Sequence, residues 1–154
     1  MTGKVKVQNV LNALLADELT AINQYMVHSE MCDNWGFEAL HKAIEKRAID
    51  EMRHAESLIT RILFLEGSPT VSKLNAISIG KTVKEMIAND TKAESDAIAA
   101  YNEGITIAGS EGDYGTRELL QTILKDEEAH IDWLEAQRDQ IEQMGMENYL
   151  AHKA

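Results

Sequence analysis

The sequence is poor in helix breakers: Pro69 is the one proline in 154 residues. A proline inside a helix removes a hydrogen bond and clashes with the preceding turn, so its scarcity favours long uninterrupted helices. Cysteine is almost absent too. Cys32 stands alone, which excludes an internal disulfide and makes a reducing cytoplasm the default compartment. No apolar run approaches the roughly 18–20 residues of a membrane span. The start, Met1 to Val7, lacks the apolar stretch of a signal peptide. Basic residues are outnumbered, 15 Lys and Arg against 26 Asp and Glu. The resulting net charge of −11 repels phosphates and argues against nucleic acid as a partner. Excess acid suits a cation-handling protein, and equally any protein that stays in solution.

What is present is helical periodicity. Apolar residues make up 44% of the chain, enough for one domain, residues 1–154, with a substantial core. Four stretches place them three and four apart, at about 5–34, 37–66, 82–110 and 116–144. Val7, Val10, Leu11, Leu14, Leu15, Ile22 and Tyr25 form the first stripe. Trp35-Gly36 ends the first stretch, Gly67-Ser68-Pro69 the second, and Glu111 to Gly115 is a turn. After Gly145 a short fifth helix fits about 146–152. The fold class is all-α, a four-helix bundle. Two hairpins are joined by a link from Gly67 to Lys81, far longer than the usual two to eight residues. A helix of about 28 residues is roughly 42 Å long, and about 15 extended residues span roughly 50 Å. The link therefore reaches from one end of the bundle to the other, which makes the second and third helices parallel.

Two short motifs stand out, Glu51-Met52-Arg53-His54 and Glu127-Glu128-Ala129-His130. A Glu and a His three apart share one helix face. Both motifs fall on apolar stripes, as do the lone carboxylates Glu18 and Glu94 on the other two helices. Glu18 to Glu94, Glu51 to Glu127 and His54 to His130 are each 76 positions apart. The halves of the chain thus carry one doubled pattern, and counting from the turns sets all four carboxylates within about 5 Å of one level. Ionised carboxylates buried together are intolerable without compensation. Two divalent cations would supply it, with the imidazoles as neutral ligands. Carboxylate oxygen with imidazole nitrogen suits iron or manganese, and the lack of thiolate disfavours structural zinc.

The segments Leu11 to Gly36, Asp50 to Thr70, Leu124 to Glu135 and Met144 to Leu150 give the chain its resemblance to the bacterioferritins, from end to end. The resemblance implies a ferritin-like bundle with one long crossover. It implies a cytoplasmic shell of twenty-four subunits, of one type or mixed with a second, that stores ferric mineral. The six residues would form a dinuclear iron ferroxidase centre oxidising Fe²⁺ with oxygen or peroxide. Glu51 and Glu127 would bridge; Glu18 with His54, and Glu94 with His130, would be terminal. Met52 would ligate a b-type haem between two subunits, with Leu19, Ile22, Asn23 and Met26 around it. The haem would assist iron release, with electrons from a small iron–sulfur ferredoxin. Asn34, Glu66 and Asp132 match residues of a subunit-junction pore.

One departure concerns the inner wall. Some bacterioferritins carry His and Glu just before the Asp-Glu-Met segment as an extra iron site, and here those places hold Lys46 and Arg47. Tyr25 and Tyr101 fall seven after Glu18 and Glu94 and face the same side, as hydrogen-bond or electron donors or as plain packing. Trp35 and Trp133 read as packing, and His28, His41 and His152 as surface. The rival readings are a di-iron oxygenase or peroxidase, a ferritin without haem, and a helical interaction module without metal.

Overall fold

The computed structural model describes residues 2–154, with side chains from Lys4 onward. Helices α1 (Thr2–Asn34), α2 (Glu38–Phe64), α3 (Val83–Ser110) and α4 (Tyr114–Met144) form the bundle, and α5 (Met146–Lys153) follows. Helix α1 starts three residues before the predicted boundary. Helix α4 starts two early because Asp113 caps it: its Oδ1 accepts from the Thr116 N–H at 3.0 Å. Both hairpin turns are closed in the same way. Phe37 N–H donates to Cys32 O and Gly36 N–H to Asp33 O after α1, as Asp113 donates to Ala108 and Gly112 to Gly109 after α3. Gly36 and Gly112 take positive φ there, at 84° and 72°, and they too lie 76 positions apart.

The long link docks along α1. Gln8 Nε2 donates to Leu65 O, and Asn12 meets Ser68 O and Thr70 N–H. Thr20 Oγ1 accepts from Asn75 N–H at 2.8 Å, Gln24 Oε1 from Ser78 N–H at 3.1 Å, and His28 Nε2 from Gly80 N–H at 2.9 Å. These polar residues repeat every four positions, with Ala16 in the remaining place, so they form one ridge that winds gradually along the helix. The link therefore climbs about 30 Å alongside α1. His28 corrects the sequence reading: it is fully buried beneath the link, not at the surface. Its Nδ1 lies 2.9 Å from Asp90 Oδ1, which also accepts from Gln24 Nε2.

Helix α3 runs antiparallel to α1. Gly104 lies where α1 presents Val10 and Leu14, while Asp90 lies beside Gln24. An added Cβ at Gly104 would sit 3.1 Å from Val10 and 3.2 Å from Leu120, so the small residue permits this close approach. Two buried apolar clusters fill the bundle. One gathers Leu11, Leu15, Leu58, Ile62, Leu120 and Ile123; the other gathers Cys32, Leu40, Ile44, Met86, Leu134 and Tyr149. The positions between them on all four helices hold the doubled Glu and His pattern. No described helix is long and apolar enough to cross a membrane.

Replacing Thr20 by Val keeps the shape and removes the acceptor for Asn75 N–H. The loss should cost about 1 kcal/mol and expose the link locally. Amide exchange at Asn75 to Ser78 is expected to quicken, with the exchange of core amides in α2 unchanged.

Candidate metal centre

Each helix delivers its part of the doubled pattern to mid-height. Glu18, Glu51, Glu94 and Glu127 are each 1% exposed or less, and His54 and His130 are 5% or less. Their ligand atoms form two overlapping groups that could each hold a metal ion. Glu18 and His54 belong to one, Glu94 and His130 to the other, and Glu51 and Glu127 are common to both. His54 Nδ1 lies 2.9 Å from Glu127 Oε1 and 3.5 Å from both Glu18 and Glu51. His130 Nδ1 lies 3.1 Å from Glu51 Oε1 and 3.4 Å from Glu94 Oε1. A small cavity of about 140 Å³ between α1 and α3 reaches these carboxylates, with Asn75 and Ala76 of the link in its wall.

The decisive property is what these atoms lack. Glu18 Oε2, Glu51 Oε1, Glu94 Oε2, both oxygens of Glu127 and Nδ1 of both histidines are buried and make no well-aligned hydrogen bond, although the Nδ1 atoms lie within 2.9 and 3.1 Å of carboxylate oxygens. Buried polar atoms are almost always paired, so inward-facing orphans on all six residues mark a place for cations. The outer oxygens of Glu18 and Glu94 and Nε2 of both histidines are spoken for. Tyr101 donates to Glu18 Oε1 at 2.5 Å, and Tyr25 donates to Glu94 Oε1. Each terminal carboxylate thus keeps one oxygen free. Burial, then the neighbouring carboxylates, push both phenols well above their usual range, so they remain O–H donors. The histidines turn Nε2 away from the centre, His54 to Asp126 Oδ2 at 2.8 Å and His130 to Asp50 Oδ2 at 3.0 Å.

Without metal, protons balance the charge. Burial raises Glu94 and Glu127 to about 8, with adjacent carboxylates adding to the effect, and raises Glu51 strongly for the same reasons. Burial alone would lower both histidines. The facing carboxylates outweigh it and raise them, Glu127 foremost for His54 and Glu94 for His130.

All six residues expected from the sequence converge here. Met52 lies outside, half-exposed on the other side of α2, in an apolar groove of about 320 Å³ with Ile22, Met26, Ala48 and Ile49. Leu19 leans on the lower core instead, and Asn23 is not in the groove's lining. Sequence reasoning missed the role of Asp50 and Asp126. Its signal was available, since they too are 76 positions apart. Lys46 and Arg47 build no ligand set. Arg47 donates to Ala43 O and stacks over Trp133 at 4.0 Å, while Lys46 Nζ lies 3.4 Å from Asp50 Oδ2. Trp35 packs edge-on to Phe37. His41 is half-buried against Ser29, and His152 is exposed. Asn34, Glu66 and Asp132 are exposed, and Glu66 pairs with Lys4 at 2.6 Å.

Residues 8–144 match the Ferritin family profile, described as a ferritin-like domain. The chain is 42% identical over 149 residues to a bacterioferritin of Brucella melitensis, covering 97% of this chain and 92% of that protein. It is 45% identical to a bacterial ferritin of Synechocystis sp., covering 97% of each. A bacterioferritin of Mycobacterium bovis is 41% identical over 98% of this chain and 95% of its own length.

The raised carboxylates fix the sign of a pH effect. Their contribution to stability is full below the ordinary carboxylate range and is lost as pH rises through about 8. The metal-free protein should therefore melt at lower temperature at pH 8 than at pH 5. A Glu94→Gln/Glu127→Gln double variant should flatten that slope. Calorimetry across this range checks it; an unchanged slope would count against protons balancing the centre.

Proposed function

The chain belongs to the ferritin family, among its bacterioferritins, and from that premise we propose that it oxidises Fe²⁺ and stores the Fe³⁺ as mineral inside a closed shell of twenty-four copies. One observation carries the proposal: two ligand groups, each with a histidine and a terminal carboxylate of its own, share Glu51 and Glu127. Fe²⁺ is the substrate. Glu18 with His54 and Glu94 with His130 hold one ion each, and Glu51 and Glu127 bridge them. Protons held on Glu94 and Glu127 leave as the ions enter, because a metal requires the ionised ligand. Tyr25 and Tyr101 fix the terminal carboxylates by their outer oxygens. Two Fe²⁺ give up one electron each. With two protons these electrons reduce hydrogen peroxide to water, or dioxygen to hydrogen peroxide.

The size of the cavity favours this reading over an oxygenase. At about 140 Å³ it falls below the roughly 300–1,000 Å³ usual for organic substrates, and acidic residues with alanines make up much of its wall. Assembly is supported by the pore residues. Asn34 and Glu66 lie at opposite ends of the α1–α2 hairpin, so a pore that used both would draw them from different copies. Closed symmetry is the usual outcome for repeated copies. Cytoplasmic location is part of the same proposal and rests on the likeness to bacterioferritins.

The groove at Met52 fits haem. Its lining is mostly apolar, with Ser29, Glu30 and Glu45 as the polar members, and a thioether is a suitable soft ligand for haem iron. Met52 of each of two copies would hold one b-type haem, with Ile22, Met26 and Ile49 lining its place. When bound, such a haem supplies one-electron transfer for iron release, with a small iron–sulfur ferredoxin as donor.

Fe²⁺ added aerobically to the metal-free parent should give ferric absorbance within seconds to minutes. Glu18→Ala and His130→Ala should slow that phase at least tenfold; variants as fast as the parent would sink the site assignment. Light scattering should give about 400 kDa, against 17.2 kDa for one chain. Met52→Leu should remove the haem absorbance of protein prepared with haem while leaving iron oxidation at the parent's rate. Unchanged haem absorbance would discard the haem ligand.

A further inference from the structure

Metal-binding histidines characteristically donate their second ring N–H to a carboxylate, which fixes the ring and strengthens the ligand. Both histidines here do so across the bundle. Asp126 on α4 orients His54 on α2, and Asp50 on α2 orients His130 on α4. Each aspartate directly precedes a shared glutamate, so each hairpin supplies the orienting group for the other hairpin's histidine. The bond sets Nε2 as the protonated nitrogen and presents the Nδ1 lone pair to the centre.

The doubled pattern fails at several positions beside these pairs, and at one of them a cation reaches an orienting carboxylate directly. Lys46 Nζ lies 3.4 Å from Asp50 Oδ2, the same oxygen that meets His130. The counterpart of Lys46, 76 positions on, is Thr122, whose hydroxyl bonds to Glu118 O within its own helix. Among the described residues no Lys or Arg forms an ion pair with Asp126. An ammonium drawing on the Asp50 carboxylate leaves less of it for His130.

We propose that Asp126 and Asp50 are positioning residues for His54 and His130, and that Lys46, by sharing Asp50, makes the Glu94–His130 position the weaker of the two metal positions. The inference rests on the reading of the six residues as a two-metal centre. It also assigns Lys46 a role toward that centre. Because Lys46 is largely exposed, solvent screens its pull, and the effect on affinity is a few-fold at most.

The test is titration of the metal-free assembled protein with Co²⁺, followed by calorimetry and visible absorption. The parent should bind two ions in two steps. Asp50→Ala should leave the tighter step in place and weaken the looser one by roughly 10- to 100-fold, whereas Asp126→Ala should drop its own position below the other, so that both steps weaken. Lys46→Thr should bring the steps together by up to about fivefold. The Lys46→Thr/Thr122→Lys exchange should reverse their order, so that Asp126→Ala then weakens the looser step. Thermal midpoints of the metal-free variants should stay near the parent's, which separates positioning from a structural role. Two equivalent ions in the parent, or steps unmoved by Lys46→Thr, would overturn the inference while leaving the two-metal centre intact. No Co²⁺ bound at all would overturn both.

Discussion

Four carboxylates at one level in a protein interior repel each other and have lost their water. Burying even one such charge unpaired costs several kcal/mol. Most of what surrounds the centre answers that constraint. Two imidazoles face inward with their Nδ1 atoms, and two phenols take the outer oxygens of Glu18 and Glu94. What remains unpaired is a set of inward oxygens and nitrogens with a common focus. A fold optimised for stability alone would have filled that level with leucine. This chain keeps it polar between two apolar clusters, and cations can resolve the mismatch where protons resolve it otherwise.

The doubling of the chain organises the response. Neither hairpin contains a complete set: each brings one lone glutamate, one shared glutamate and one histidine. The orienting groups also cross between hairpins, Tyr25 to Glu94, Tyr101 to Glu18, Asp50 to His130 and Asp126 to His54. The centre is therefore finished only when both hairpins are packed, and these four buried or half-buried contacts tie one to the other. The groove at Met52 escapes this logic. Met52 is one residue from Glu51, about 100° around α2, so it serves the outer face while its neighbour serves the inner one.

Much of this was legible in the sequence, for identifiable reasons. Helix periodicity, scarce proline and the glycine turns marked all four long helices and the crossover. The repeated spacing singled out the six inward residues. His28 was misread because its cover is the link, an extended segment without periodicity whose path no local pattern announces. The polar residues every four positions on α1, from Gln8 to His28, were the trace it left in the sequence. Asp50 and Asp126 obeyed the same 76-residue spacing and still went unnoticed. Each sits at the edge of the buried stripe, where an aspartate ordinarily faces water. The early start of α4 was a matter of capping, since Asp113 recruits Tyr114 and Gly115 into the first turn.

The length of the link has a geometric consequence. By crossing the bundle's full height it makes α3 run against α1, so the axis that exchanges the two hairpins lies across the bundle instead of along it. That axis exchanges top and bottom. Val7 maps to Val83, Leu58 to Leu134 and Tyr101 to Tyr25, each pair divided between the two apolar clusters. Both ends of the bundle are consequently sealed by equivalent apolar plugs, and neither is a mouth. Traffic to the centre is left with the flanks, and the cavity beside Asp17 and Asp96, between α1 and α3, lies on one of them.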